Sequence, residues 1–439
     1  MPSANASTNR RTSTCTTDPA ARQSSFRVLF GAGVGNALEW YDWSIYATFA
    51  PFFAKRFFDS SNSVSAILST LAIFAVGFMM RPLGGIFFGW FADRHGRQRG
   101  MVLSMAITAS GSLIIAGAPT HAAVGPLAPL LLLVARLAQG FGLGGEIGAS
   151  RTFLAEASPR RRRGLWSSSM YIAVTCGVLL STLQAAGLKT ILDDQQMDDW
   201  GWRIPFALGA ILGFYAFYLR RGLAESEAFR EERIAADRHD RHVLADIWEH
   251  RTAVFRVVGL TVGGTVLYYT WAVGASTYAI TVKHIDATSA LWASVIGSLV
   301  YIAALPMWGA LSDRWGRKPN VIIFCVGLGV LSFPLNWMVR DSAWQLGLAI
   351  AIALFLHAAL TSILPVVMAE MFPTRVRASG MAFPYSVAVA ATGGTAPYLQ
   401  TYLFHLGMPS LFIIYSIALL AVSLVVAALM PETKAIRLT

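Results

Sequence analysis

Twelve apolar runs of membrane-spanning length follow one another along the chain, at about residues 26–58, 64–91, 101–119, 126–156, 165–188, 202–220, 252–281, 288–312, 320–339, 344–370, 379–403 and 409–430. About 20 apolar residues in a helix cross a ~30 Å hydrocarbon layer. In hydrocarbon a helix satisfies every backbone donor and acceptor within its own segment. The pattern therefore restricts the chain to an all-α, polytopic membrane protein with twelve transmembrane helices. Composition agrees. Of 439 residues 55% are hydrophobic and only 13% are charged, against roughly 25% charge in a soluble domain, which leaves too little polar surface to clothe a soluble globule.

The polar stretches divide the chain. Residues 1–25 hold 12 Ser, Thr or Asn and no apolar run, and read as a disordered tail. The first run carries Glu39 and Asp42 and is too long for a signal-peptide core, so it reads as a retained spanning helix. Arg220 to Arg251 alternates acidic and basic residues and reads as a solvated helical linker. The expected organisation is a tail (1–25), a six-helix bundle (26–220), a linker (221–251), a second six-helix bundle (252–430) and a short tail (431–439).

A net charge of +11 could mark a nucleic-acid binder, but its placement gives another explanation. Of the 35 Lys and Arg, 26 fall in the tails and the alternate loops on the side of both termini. Five lie on the opposite side, Lys55, Arg56, Lys189, Lys283 and Arg340, and four within spans, Arg81, Arg136, Arg151 and Arg203. By the positive-inside rule both termini are cytoplasmic, and no nucleic-acid partner is needed. The three cysteines, Cys15, Cys176 and Cys325, have neither disulfide nor metal-site spacing.

The two halves repeat. Gly89-Trp-Phe-Ala-Asp93-Arg94-His-Gly96-Arg97 matches Gly309-Ala-Leu-Ser-Asp313-Arg314-Trp-Gly316-Arg317. Glu156-x-x-Pro159-x-x-x-Arg163 matches Glu370-x-x-Pro373-x-x-x-Arg377. The first pair follows the second span of each half and the second pair follows the fourth. Parallel repeats about an axis along the membrane normal are one transporter plan, with the substrate site near the midplane between halves.

These G-x-x-x-D-R-x-G-R loops, the twelve spans and the central charged loop resemble the major facilitator superfamily. Gly35-Asn-Ala-Leu-Glu-Trp-Tyr-Asp42, Phe78-Met-Met-Arg-Pro-Leu-Gly-Gly85, Trp200-Gly-Trp-Arg-Ile-Pro-Phe206 and Glu370-Met-Phe-Pro-Thr-Arg-Val-Arg377 are similar to its metabolite:proton symporter branch. Within that branch the chain most resembles alpha-ketoglutarate and dicarboxylate permeases. The resemblance covers residues 26–430. It implies the major facilitator fold, no cofactor beyond the proton gradient, and a small anionic metabolite plus a proton as cargo. The expected setting is a bacterial inner membrane, with the protein as a monomer.

Charged residues inside spans cost roughly 2.5–3.5 kcal/mol each at the helix centre, so each requires a partner or a purpose. Glu39 and Asp42 share a face of helix 1; counted from Arg27 at 1.5 Å per residue, they lie roughly 18 and 22 Å deep. Arg136 on helix 4 lies roughly 15 Å from the opposite end of its helix. An acid on helix 1 can therefore meet Arg136. An ionised acid would neutralise the guanidinium, and a protonated one would free it for a substrate carboxylate. The resemblance supports this, because related sugar:proton symporters have an Asp at a position like Asp42 facing an Arg at a position like Arg136. The bland alternative is a static ion pair locking helix 1 to helix 4.

Arg81 in helix 2 has no acid in its own span, and a planar guanidinium suits a carboxylate. Arg81 and Arg136 together suggest a substrate with two carboxylates, whereas permanent pairing of Arg81 with Glu39 or Glu146 would make it structural. Gln139, Tyr269 and His357 complete the expected substrate-binding set, with Tyr268, Trp271 and Tyr385 as aromatic neighbours more suited to core packing. In the loops, Asp93 and Asp313 can sit against helix N-termini or arginines. By resemblance Arg97 pairs with Glu156 and Arg317 with Glu370, latching the cytoplasmic ends. Gly140-x-x-x-Gly144 suggests close helix packing, and Gly393-Gly394 between Pro384 and Pro397 suggests a bendable helix 11.

The expected function is proton-coupled symport of a small di- or tricarboxylate by alternating access. Osmolyte uptake of the proline/betaine kind and export by the same superfamily are the rivals. A membrane enzyme is disfavoured: the sequence has no H-E-x-x-H or G-x-S-x-G.

Overall fold

The computed structural model describes residues 19–58, 62–95, 97–144, 158–221, 249–373, 376–434 and 436. Among them it is helical throughout, without strands. The helices are α1 (Pro19–Phe57), α2 (Ser63–His95), α3 (Arg97–Gly117), α4 (Leu127–Leu143), α5 (Arg163–Ile191) and α6 (Arg203–Arg221) in the first half. In the second half α7 starts as Arg251–Tyr268 and resumes as Ala275–Thr281; α8 is Ala287–Trp315, α9 Arg317–Met338, and α10 Ala343–Thr361 extended by Leu364–Met371. Then α11 runs Arg377–Ala388 and Ala396–His405, and α12 is Pro409–Leu429. Eight of the described helices are long and apolar enough to cross a membrane.

The bounds follow local chemistry. Asp286 caps α8 by accepting from the Ser289 backbone N–H at 2.9 Å. Gly316, at φ +116°, takes a conformation open to glycine and separates α8 from α9 by one residue. Helix α1 starts at Pro19, so residues 19–25, expected in the disordered tail, are helical. Residues 145–157 and 222–248, including Glu146, Arg151, Glu156 and most of the linker, lie outside the described residues.

Within the first half, α2 and α4 approach closely enough to require glycine. A Cβ on Gly140 would lie 1.9 Å from the Gly77 carbonyl oxygen, and one on Gly84 would lie 1.9 Å from that of Phe141. The Gly140-x-x-x-Gly144 ridge is thus a backbone contact with α2. Between the halves, α5 packs along α8 and α2 along α11, the exchange of equivalent helices that a pseudo-twofold axis requires.

The halves touch on both sides of the centre. On the side of the termini, the first turn of α5 meets the end of α8. On the far side, Thr277 Oγ1 of α7 donates to the Ala47 carbonyl of α1 at 2.6 Å. The conformation is therefore closed at both ends. Two second-half helices are broken near the middle by π turns, Tyr269–Val273 in α7 and Val389–Gly393 in α11. The second falls on the glycine pair expected to bend; the break in α7 has no glycine or proline within it to announce it.

Candidate functional site

The coupling candidates meet among α1, α3 and α4. Asp42 is 6% exposed. Its Oδ1 accepts a short hydrogen bond from Ser112 Oγ of α3, and its Oδ2 accepts from Gln139 Nε2 of α4 at 3.0 Å. Gln139 Nε2 also donates to Ser112 Oγ at 2.7 Å. On its other side Gln139 Oε1 accepts from Arg136 Nη1 at 2.8 Å. No ion pair joins Asp42 directly to Arg136 among the described residues. The expected contact is corrected in one respect: the acid and the guanidinium communicate through an amide. Gln139, expected to bind substrate, is fully buried as that bridge.

Aromatic rings surround the two cations. The Arg136 guanidinium lies 4.0 Å from the Trp43 ring centroid and 4.3 Å from that of Tyr46. That of Arg81 lies 4.1 Å from Trp43 and 4.2 Å from Phe78. Because both sit on Trp43, they are no more than about 8 Å apart. Cation–π attraction offsets part of the cost of burying them. It does not satisfy their hydrogen-bond donors: Nε and Nη2 of both arginines are buried without a partner. The Tyr269 hydroxyl is buried beside Arg81, and its ring packs edge-on to Phe78 at 5.1 Å. Tyr269, Tyr385 and Glu39 are the polar neighbours of Arg81.

Trp40, Trp43 and Phe78 were not singled out from the sequence. The signal was present, since Trp40 lies in the motif that ends at Asp42, Trp43 follows it directly, and Phe78 opens the motif that contains Arg81. Ser112 carried none; a serine in an apolar helix becomes informative only once its neighbour is known.

His357, expected to bind substrate, is engaged at both ring nitrogens inside the second half. Nε2 faces the Gly264 carbonyl at 2.9 Å and Nδ1 faces the Tyr301 hydroxyl at 3.0 Å, which also meets Thr361 Oγ1 at 2.7 Å. It ties α10 to α7 and α8, leaving neither nitrogen for a ligand.

The latch lies at the termini side. Asp313 accepts from the backbone N–H groups of Gly164 and Leu165 at 2.8 and 2.9 Å, placing a carboxylate at the N-terminus of α5. Arg317 binds Asp313 at 2.8 Å and lies 4.0 Å from Glu370; Arg163 lies 3.7 Å from Glu370 across the interface. Arg317 is thus held mainly by Asp313, with Glu370 between two arginines. A Cβ on Gly164 would lie 2.6 Å from the Gly309 carbonyl oxygen. Glu156 and the side chains of Asp93 and Arg97 lie outside the described residues.

The latch has a member that went unrecognised in the sequence. Glu432, just after α12, accepts from the backbone N–H groups of Arg317 (2.8 Å), Lys318 (3.1 Å) and Lys434 (2.9 Å). Farther along the tail, the Ile436 carbonyl accepts from Arg163 at 2.9 Å. A carboxylate two residues beyond the last span reads as tail charge unless it is known to cap α9.

A closed two-half bundle with buried charges between its helices defines a membrane transporter. Residues 28–262 match the family model described as "Sugar (and other) transporter", and residues 258–437 match "Major Facilitator Superfamily". The chain belongs to the major facilitator superfamily and is a multi-pass transporter, not an enzyme. It is 36% identical to the alpha-ketoglutarate permease of Escherichia coli K12, over 96% of this chain and 98% of that one. It is 31% identical to the proline/betaine transporter of the same organism (93% and 83%) and 30% identical to the citrate-proton symporter of Klebsiella pneumoniae (84% of each). Its fold is that of the xylose transporter from E. coli, with TM-score 0.71 at 19% identity over 94% and 99% of the two chains.

Proposed function

We propose that the protein is a proton-coupled importer of a small di- or tricarboxylate of the 2-oxoglutarate kind. The observation that carries this is the pair of buried guanidiniums on Trp43, each with two unpartnered N–H-bearing nitrogens. Two forked cations at this spacing suit two carboxylates on a short chain. A permease for alpha-ketoglutarate and a symporter for citrate among its relatives support the same class. Proline/betaine transporters are relatives too. A quaternary ammonium, however, would need open aromatic faces, and here the rings of Trp43 and Phe78 already carry arginines.

Coupling runs through Gln139. While Asp42 is ionised it accepts from Ser112 and Gln139, and Gln139 in turn holds Arg136. Protonation removes the anionic acceptor, so the amide is free to turn and release the guanidinium to the substrate. Unloading on the proton-poor side reverses this. The basic-residue distribution supports cytoplasmic termini in a bacterial inner membrane, which makes the Asp313 and Glu370 contacts a cytoplasmic latch. The reading includes a boundary between halves at the 221–251 linker and action as a monomer.

The test is competition in proteoliposomes: labelled 2-oxoglutarate uptake, driven by an inside-alkaline pH gradient, against unlabelled dicarboxylates, citrate, proline and betaine. Carboxylates should compete. Competition by betaine alone would overturn the substrate class. Asp42→Asn should abolish gradient-driven uptake and spare exchange; retained gradient-driven uptake would remove Asp42 from coupling.

A further inference from the structure

A narrow crevice runs between α1, α3 and α6 and reaches Asp42. It lies wholly within the first half, and neither α5 nor any second-half helix lines it. Its lining is graded in depth. Asp42 and Gly209 stand at one end, Glu39, Thr108 and Leu212 follow, and Gly35, Ser104 and Ala216 lie toward the termini side. Asp42 and Gly35 are seven positions apart on α1, about 10 Å along the axis. The glycines hold the floor open: a Cβ on Gly209 would come within 2.7 Å of Asp42 Oδ1, and one on Gly213 within 2.8 Å of Ala109 Cβ.

The crevice persists in a conformation closed at both ends. The substrate route between the halves is shut on the termini side by Gly164 against Gly309 and by Asp313 on the α5 N-terminus. It is shut on the other side by Thr277 on Ala47. Asp42 also turns away from the partnerless Nε and Nη2 groups of the two arginines. Its carboxylate faces Ser112 and Gln139, while the donors intended for substrate gather on the Trp43 side.

We infer that proton and substrate leave by separate routes: the substrate through the interface between halves, and the proton from Asp42 along the α1, α3 and α6 crevice past Glu39. This rests on Asp42 being the coupling acid. The proton leaves the Asp42 carboxyl for the Glu39 carboxylate or for water in the crevice and passes to the bulk on the termini side. The Asp42 carboxylate left behind is the species that accepts from Ser112 and Gln139. The charged and titratable groups around Asp42 are Glu39 and Tyr41 on α1 and Arg136 on α4. Glu39 is the carboxylate among them that lines the crevice together with Asp42.

The inference is tested by plugging the crevice reversibly. In a background with Cys15, Cys176 and Cys325 changed to Ser, Ala216→Cys and Leu212→Cys proteins are reconstituted and modified with a benzyl methanethiosulfonate. Modification should slow gradient-driven 2-oxoglutarate uptake at least tenfold and leave exchange at equal pH within twofold. Exchange needs no net proton release, and a thiol reductant should restore uptake. An equal fall in both assays, or fast uptake after complete modification measured by mass, overturns the separate route. Asp42→Asn keeps the two questions apart. If that variant stays proton-driven, the coupling reading fails; if it uncouples while plugged proteins remain fast, only the crevice route fails.

Discussion

Arg136 and Asp42 do not touch: Gln139 stands between them, with its oxygen on the guanidinium and its nitrogen on the carboxylate. An amide has a donor and an acceptor at opposite corners, so it senses the charge on one partner and transmits it by turning. A direct ion pair would have bound the two charges to each other; the bridge links them while leaving two guanidinium nitrogens uncommitted.

The bridge predicts the phenotype of Gln139→Leu. With donor and acceptor both removed, protonation of Asp42 no longer reaches Arg136. Gradient-driven accumulation should fall at least tenfold while exchange at equal pH persists, measured in the same vesicles. Loss of both to the same degree would make Gln139 a substrate ligand, as its sequence position first implied.

Replacing either central arginine by lysine preserves charge and removes the fork. A charge-assisted hydrogen bond contributes about 1.5–3 kcal/mol, so Arg81→Lys or Arg136→Lys should raise the KM for a dicarboxylate about tenfold to a hundredfold. A monocarboxylate competitor should lose less, because it engages one fork. Equal effects on both would count against a two-point site.

His357→Gln should leave the pH profile of uptake unchanged, since His357 spends both nitrogens on Gly264 and Tyr301. It should lower thermal stability in detergent, because a buried partner of Tyr301 changes shape. A displaced pH optimum would give His357 a role in proton movement that its contacts do not support.

Gly164→Val tests the latch. Its Cβ would clash with the Gly309 carbonyl and the Arg317 guanidinium, forcing α5 from α8. A cysteine placed on the termini side of the substrate route should become labelled several-fold faster in this variant, and transport should fall because the closed state is lost.

Glu432 gives the latch a pH dependence. Burial alone would raise its carboxyl, but the backbone N–H groups of Arg317, Lys434 and Lys318 and the Arg317 guanidinium outweigh it and hold the pKa below its ordinary value. A depressed native pKa means stabilisation that is present above the unfolded-state value of about 4.3 and lost as pH falls through the native one. Glu432→Gln should cost on the order of 1 kcal/mol at neutral pH, as for a lost helix cap. Its melting temperature should converge with that of the parent as pH falls through the lowered native value.

The fold was legible because each level carried its own signal: span length, alternating basic loops and the repeated Asp-Arg-x-Gly-Arg turns. Asp313, Arg317 and Glu370 do meet in one cluster, where the end of α8, the start of α9 and the end of α10 converge. The helix 1 and helix 4 charges were likewise brought together by depth counting. What escaped was rotation. Counting residues along an axis gives height but not which neighbour a side chain faces, so Gln139 was assigned to the substrate and His357 to a cavity. Ser112 and Glu432 escaped for a related reason, since each acquires meaning only from a helix distant in sequence.

The π turns that interrupt spanning helices divide the molecule unequally, a third one, Met197–Gly201, lying in the connection between α5 and α6. A π turn widens a helix locally and marks a place where it can hinge, and the two within spans lie in the second half, where a Cβ on Gly393 would strike the Tyr269 ring. The first-half counterparts of these helices, α1 and α5, are continuous over 39 and 29 residues. One half is built as a stiff chassis that holds the central charges Asp42, Arg81 and Arg136, and the other as a jointed arm, charged at its latch, that swings against it. Variation in the arm would then tune turnover, and variation in the chassis would tune how tightly cargo is tied to its proton. That gives a transporter of this design two separate controls for adapting to a new carboxylate.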